Sequence, residues 1–136
     1  MRECVAALII QPYQILLGKR SPERAYYPDV WDVFGGHVEA GETYEQALQR
    51  EVSEELGILP TVWTYLTTVA EPAPERHGPG RYHFYLVTAW HGAPANRQPH
   101  EHTKIAWFSL EQAQCLPLAH PAYVELFAQL AKGEER

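Results

Sequence analysis

Three glutamates, Glu51, Glu54 and Glu55, are the residues of this chain whose type and spacing most directly suggest chemistry. Separations of three and four place all of them on one face of a helix. Like charges at that spacing weaken an isolated helix by roughly 0.2–0.5 kcal/mol per pair, so the arrangement needs a reason. A solvated acidic face is one. The other is a carboxylate cluster holding a hard divalent cation such as Mg²⁺ through oxygen ligands. Leu48, Val52 and Leu56 fall at i, i+4 and i+8, an apolar stripe beside the acidic one that would press the glutamates against a sheet. Arg50 and Glu42, eight residues apart, lie on either side of the helix start. A loop carrying Glu42 that folds back onto Arg50 would form an ion pair locking loop to helix.

The elements that must position these side chains are legible around them. Thr43 and Gln46 form a capping box, Glu42 and Glu45 suit the positive end of the helix dipole, and Gly57 supplies the C-terminal stop. Upstream, residues 5–10 and 14–17 read as strands joined by the turn 11–13, and 31–34 as a short strand ending at Gly35-Gly36. Residues 21–28 read as a polar loop. Downstream, 61–70, 82–90 and 105–108 read as strands, with loops at 71–80 and 91–99. Ser109 caps a short helix, and 121–132 forms a C-terminal amphipathic one. The order predicts one mixed α/β domain over residues 1–136.

A net charge of −6 argues against binding a nucleic-acid polymer, which needs surplus Lys and Arg. An acidic protein can still bind small phosphate compounds when divalent cations supply the missing charge. The apolar run 5–10 is too short for a membrane span and lacks a signal-peptide cleavage pattern, so a cytoplasmic location is expected. Cys4 and Cys115 are expected to be free thiols.

Gly36, five residues, Glu42, seven residues, then Arg50-Glu51-Val52-Ser53-Glu54-Glu55-Leu56-Gly57-Ile58 resembles the Nudix box at every specified position. With ordinary residue frequencies, a match at any one start has a probability below about 10⁻⁸. The resemblance implies the Nudix fold, an α/β architecture with a mixed β-sheet sandwiched between α-helices, and a box over residues 36–58. It implies Mg²⁺ or Mn²⁺ bound by Glu51, Glu54, Glu55 and the carbonyl of Gly35, with Glu42 and Arg50 as the structural ion pair. One departure is Phe34, where many members carry proline.

The implied activity is metal-dependent hydrolysis of a diphosphate linkage in a small nucleotide-type substrate. A MutT-like nucleoside triphosphate pyrophosphohydrolase leads, with oxidised nucleotides among the substrates considered. An ADP-ribose or nucleotide-sugar diphosphatase and a dinucleoside polyphosphate hydrolase follow, and Pro74, 16 residues after Ile58, hints at the ADP-ribose group. A binding-only Nudix module would be expected to lose box glutamates, and none is lost. Isopentenyl diphosphate isomerases, which share the fold, need a longer chain and a catalytic Cys and Glu in other contexts. Nudix proteins often form homodimers.

Two residues are candidates for the general base: Glu54 within the box, and Glu101, whose segment Glu101-His102 followed after four residues by Trp107 is similar to MutT-like members. Arg20 resembles an arginine that contacts substrate phosphate, with Lys19 or Arg24 as alternatives. Trp31, Phe34, Tyr82 and Tyr85 are expected in the core rather than stacked on a base. His100 and His102 lack further ligands at convincing spacing for zinc and are expected in a surface loop.

Overall fold

The structure is a computed structural model that describes residues 1–134. Its centre is the strand β1 (Arg2–Gln11), buried continuously from Cys4 to Ile9. Burial on both faces is what an uninterrupted apolar run implies. β1 turns through Pro12 and Tyr13 into antiparallel β2 (Gln14–Arg20), with Gln11 opposite Gln14. The short strands β3 (Trp31–Asp32) and β4 (Phe34–His37) add to β2 and β1. After the helix α1 (Tyr44–Leu56), the long hairpin-like pair β5 (Leu59–Ala70) and β6 (Gly80–His91) returns, and β6 docks parallel to β1. The strand β7 (His102–Ser109) pairs with β2 on its other edge. The result is a seven-stranded mixed sheet with the path β3-β2-β1-β6-β5, β4 on β1 and β7 on β2.

Alternation along β1 divides the core in two. Ala6 and Leu8 join Ile15, Leu17, Phe84, Tyr123 and Phe127, the last two from the C-terminal helix α4 (Ala122–Glu134). Val5, Ala7 and Ile9 join Leu16, Val87 and the Leu48-Val52-Leu56 stripe of α1. Each face of the sheet is thus covered by a helix, the sandwich that the Nudix resemblance implies. α1 carries the anticipated capping box between Thr43 and Gln46, and Gly57 ends it at φ 70°. At that φ a side chain is disfavoured.

Three local expectations need correcting. His102 is not in a surface loop: β7 begins three residues earlier than the apolar run suggests, and His102 is 3% exposed. The segment 71–80 is not simply loop. It holds the helical turn α2 (Pro74–His77), and its first residue, Glu71, is buried. Arg2, Tyr27, Tyr82 and the Ala73 N–H all donate to the Glu71 carboxylate. Most of those partners are remote in sequence, which is why a polar, proline-rich segment concealed a buried anchor. Pro74 is the first residue of α2, where its fixed φ suits a helix start. Tyr82 is only half-buried, whereas Trp31, Phe34 and Tyr85 lie in the core as expected. Before α4, Ser109 caps a second turn, α3 (Leu110–Ala113).

Candidate active site

The acidic face of α1 meets the sheet at Gly35 and Gly36. A Cβ on Gly35 would stand 2.0 Å from the Val5 carbonyl oxygen, and one on Gly36 2.6 Å from the Glu51 carboxylate. Gly35 is therefore needed for β4 to lie against β1, and Gly36 for the Glu51 carboxylate to reach this strand. The Gly35 N–H donates to Glu55 Oε1 at 2.9 Å. Arg50 organises the helix face. Its guanidinium holds Glu42 in a two-pronged pair at 2.7 and 3.0 Å, donates to the His37 carbonyl at 2.9 Å, and reaches Glu51 at 2.8 Å and Glu54 at 3.4 Å. One arginine thereby ties the approach loop, β4 and the helix together, and its hydrogen bonds hold the Glu42 carboxyl down at about 2.

Burial sets the electrostatics on the inner side. It pushes Glu55 well above the usual carboxylate range, against the single Gly35 N–H, with Glu51 and Glu101 adding negative charge. Burial also raises Glu51, with Arg50 opposing. Ligand atoms of Glu55, Glu101 and His102 all lie within 4.8 Å of one another. Burial, then the nearby Arg24 and Arg20, lower His102 to about 4, so its ring is neutral. Glu54 stands apart. Its side chain is 54% exposed and outside the cavity lining, with Arg50 as its partner.

These groups open into a cavity of about 350 Å³ lined by Gly35, Gly36, Glu51, Glu55, Glu101 and His102. Its other walls carry Arg2, Arg20, Arg24, Tyr27, Asp32, Glu71, Tyr82 and Tyr123. The two buried networks there are already complete. Arg20 pairs with Asp32 at 3.1 Å and donates to the carbonyls of Tyr26 and Tyr27, while Tyr123 donates to the other Asp32 oxygen at 2.5 Å. Lys19 is paired with Asp29, outside the cavity lining. Among the described residues, Arg24 makes no side-chain hydrogen bond or ion pair. A free cation beside an acidic cluster, in one pocket, suits a phosphate compound.

The NUDIX domain family matches residues 1–130. The chain belongs to the Nudix family. It is 40% identical over 129 residues to a CTP pyrophosphohydrolase of Escherichia coli, covering 93% of this chain and 88% of that one. It is 39% identical over 85 residues to an 8-oxo-dGTP diphosphatase of Proteus vulgaris, covering 62% and 74%. The solution structure of the E. coli ORF135 protein superposes with a TM-score of 0.78 at 35% identity, over 97% of this chain and 89% of that one. This protein is a Nudix hydrolase. The three clustered glutamates of its Nudix box divide by environment: Glu51 and Glu55 line the cavity, and Glu54 is exposed outside that lining. Glu101, 46 residues beyond the last box glutamate, is brought beside Glu55 because β7 pairs with β2. In this Nudix hydrolase Phe34 replaces the common proline as a strand residue opposite Ala7, packed 5.3 Å from the His102 ring.

Proposed function

We propose that the protein hydrolyses nucleoside triphosphates to a monophosphate and pyrophosphate, with Mg²⁺ or Mn²⁺ as cofactor. The observation that carries this reading is a single cavity joining a partly buried carboxylate cluster to an arginine without a side-chain partner among the described residues. Relatives named for CTP and 8-oxo-dGTP support the triphosphate over the other diphosphate compounds. The donor set fits a hard divalent cation. Glu55 and Glu101 are oxygen ligands with no arginine or lysine paired to either among the described residues. Glu51, Glu55, Glu101 and the Gly35 carbonyl would hold the ion, with Glu54 reaching in from the rim. A bound Mg²⁺ or Mn²⁺ supplies charge neutralisation and acidifies water.

The remaining roles belong to the protein. Glu101 accepts the proton of the attacking water, since it lines the cavity whereas Glu54 is largely solvated and engaged by Arg50. Arg24 binds the phosphate chain. Arg20 serves instead to fix the loop after β2, through the two carbonyls it holds, and so shapes the cavity around the substrate. The test is a screen of nucleoside triphosphates, ADP-ribose, nucleotide sugars and dinucleoside polyphosphates with Mg²⁺ or Mn²⁺, products identified by mass spectrometry. Monophosphate plus pyrophosphate from a triphosphate is expected. No turnover of any compound would overturn the hydrolytic reading of this site, and preferred turnover of ADP-ribose would overturn the substrate class.

A further inference from the structure

His102 occupies a prepared position. Its backbone is held from two sides: its N–H donates to the Gln98 carbonyl at 2.9 Å, and its carbonyl accepts from Asn96 Nδ2 at 2.7 Å. Its ring lies between Phe34 and Gly18, and a Cβ on Gly18 would be 2.6 Å from His102 Cδ2. Glycine at that point of β2 makes room for the ring. The side chain is 4% exposed, yet neither ring nitrogen has a hydrogen bond among the described residues. Nδ1 is buried without a partner, and Nε2 has Glu55 Oε2 at 3.8 Å as its one polar neighbour in ion-pair range. Buried polar groups nearly always find a partner, and an orphan costs about 1–3 kcal/mol.

A separation of 3.8 Å is too long for a hydrogen bond. It suits two atoms that share one ion, because ligands about 2.1 Å from a metal stand roughly 3–4.2 Å apart. A Glu101 carboxylate oxygen lies within 4.8 Å of both. We propose that His102 is itself a metal ligand, so that one cation in this site has a mixed coordination of imidazole nitrogen with the oxygens of Glu55 and Glu101. The inference rests on the metal-dependent reading above and deepens it. Imidazole favours first-row transition ions, whereas all-oxygen sites suit Mg²⁺. The site therefore selects Mn²⁺ over Mg²⁺.

The test is pulsed electron paramagnetic resonance of Mn²⁺ added to the intact protein without nucleotide. Directly bound histidine gives a ¹⁴N modulation. The modulation is expected in the parent and in His37→Gln and His120→Gln, the two other cavity histidines, and absent in His102→Gln. His102→Gln should also weaken Mn²⁺ binding by about tenfold or more, and Mg²⁺ binding by a smaller factor. Should His102→Gln not fold, ¹⁵N-histidine labelling of the parent, of His37→Gln and of His120→Gln makes the same assignment by elimination among the cavity histidines. Absence of nitrogen modulation, its loss in His37→Gln or His120→Gln alone, or absence of bound Mn²⁺ would overturn the proposal. The two readings fail separately: Mg²⁺-dependent hydrolysis without nitrogen coupling removes only the ligand role of His102, and nitrogen coupling without turnover removes only the hydrolase substrate.

Discussion

Arg20 and Arg24 both line the cavity, and the structure assigns them opposite sensitivities. Arg20 and Asp32 have side chains only 13% and 15% exposed, and Asp32 keeps just the Tyr123 hydroxyl and the Val33 N–H when Arg20 is lost. Breaking a buried pair from one side costs about 3–5 kcal/mol. The residual exposure places Arg20→Ala near the lower end, about 3 kcal/mol. At about 2.1 cal/mol/K per residue, a chain of 136 residues has an unfolding entropy near 0.29 kcal/mol/K. The expected loss in Tm is therefore about 10 °C.

Arg24→Ala breaks no pair, so its Tm should stay within about 2 °C, the effect of a neutral surface change of about 0.5 kcal/mol. Its loss appears in kinetics. One charge-assisted contact to phosphate is worth about 1.5–3 kcal/mol, so kcat/KM for a nucleoside triphosphate should fall at least about tenfold. Melting by circular dichroism and steady-state hydrolysis, measured on both variants, decide the matter. Arg20→Ala melting with the parent, together with normal turnover by Arg24→Ala, would refute this division of roles.

Other outcomes follow from the same geometry. Glu101→Gln should lower kcat by about 10²–10⁴-fold, and Glu54→Gln by clearly less, in parallel assays with saturating Mn²⁺; equal rates for Glu101→Gln and the parent would exclude the base role. Glu42 has a folded-state carboxyl held below its usual 4.5, at about 2, chiefly by Arg50. A depressed value gives stability that is full above pH 4.5 and is lost as pH falls toward 2. Acid titration of the melting temperature should show Glu42→Gln less stable than the parent at pH 6, with the gap closing toward pH 2. Glu71→Gln removes the charge shared by Arg2, Tyr27 and Tyr82 and should cost about 1.5–3 kcal/mol in urea denaturation.

How much of this could be read from the sequence depended on distance along the chain. The box helix was legible because its cap, its stripe and its glutamates are local and periodic. The Glu42–Arg50 pair was legible for the same reason, since eight residues spanning a helix start leave few ways to meet. Glu101 could be named only through resemblance, because its approach to Glu55 depends on β7 pairing with β2, more than 80 residues upstream. His102 was misplaced by the same cause. Its burial follows from the space Gly18 leaves for its ring and from Phe34 beside it, neither visible in a histidine-rich turn. Arg20 is the complementary case: sequence offers a basic residue at a strand end as a phosphate contact, and only the fold shows that its guanidinium already holds Asp32 and two carbonyls.

The charges of the cavity explain how a protein of net charge −6 can take an anionic substrate. Five carboxylates line it, Asp32, Glu51, Glu55, Glu71 and Glu101, with three arginines, Arg2, Arg20 and Arg24. Arg2 is matched to Glu71, Arg20 to Asp32, and Arg50 from outside the lining to Glu51. Glu55 and Glu101 then face Arg24, and the cavity repels a nucleotide until cations occupy the carboxylates. The consequence has an unusual sign. Glu55→Gln, which impairs catalysis in the presence of Mg²⁺, should bind a nucleoside triphosphate more tightly than the parent in the presence of a chelator, by a factor that grows to severalfold as rising pH ionises the buried parent carboxyl, because one repelling charge is gone. Calorimetric titration with excess chelator measures it, and metal-free binding equal to or weaker than the parent's would mean that Glu55 is not charged toward the substrate.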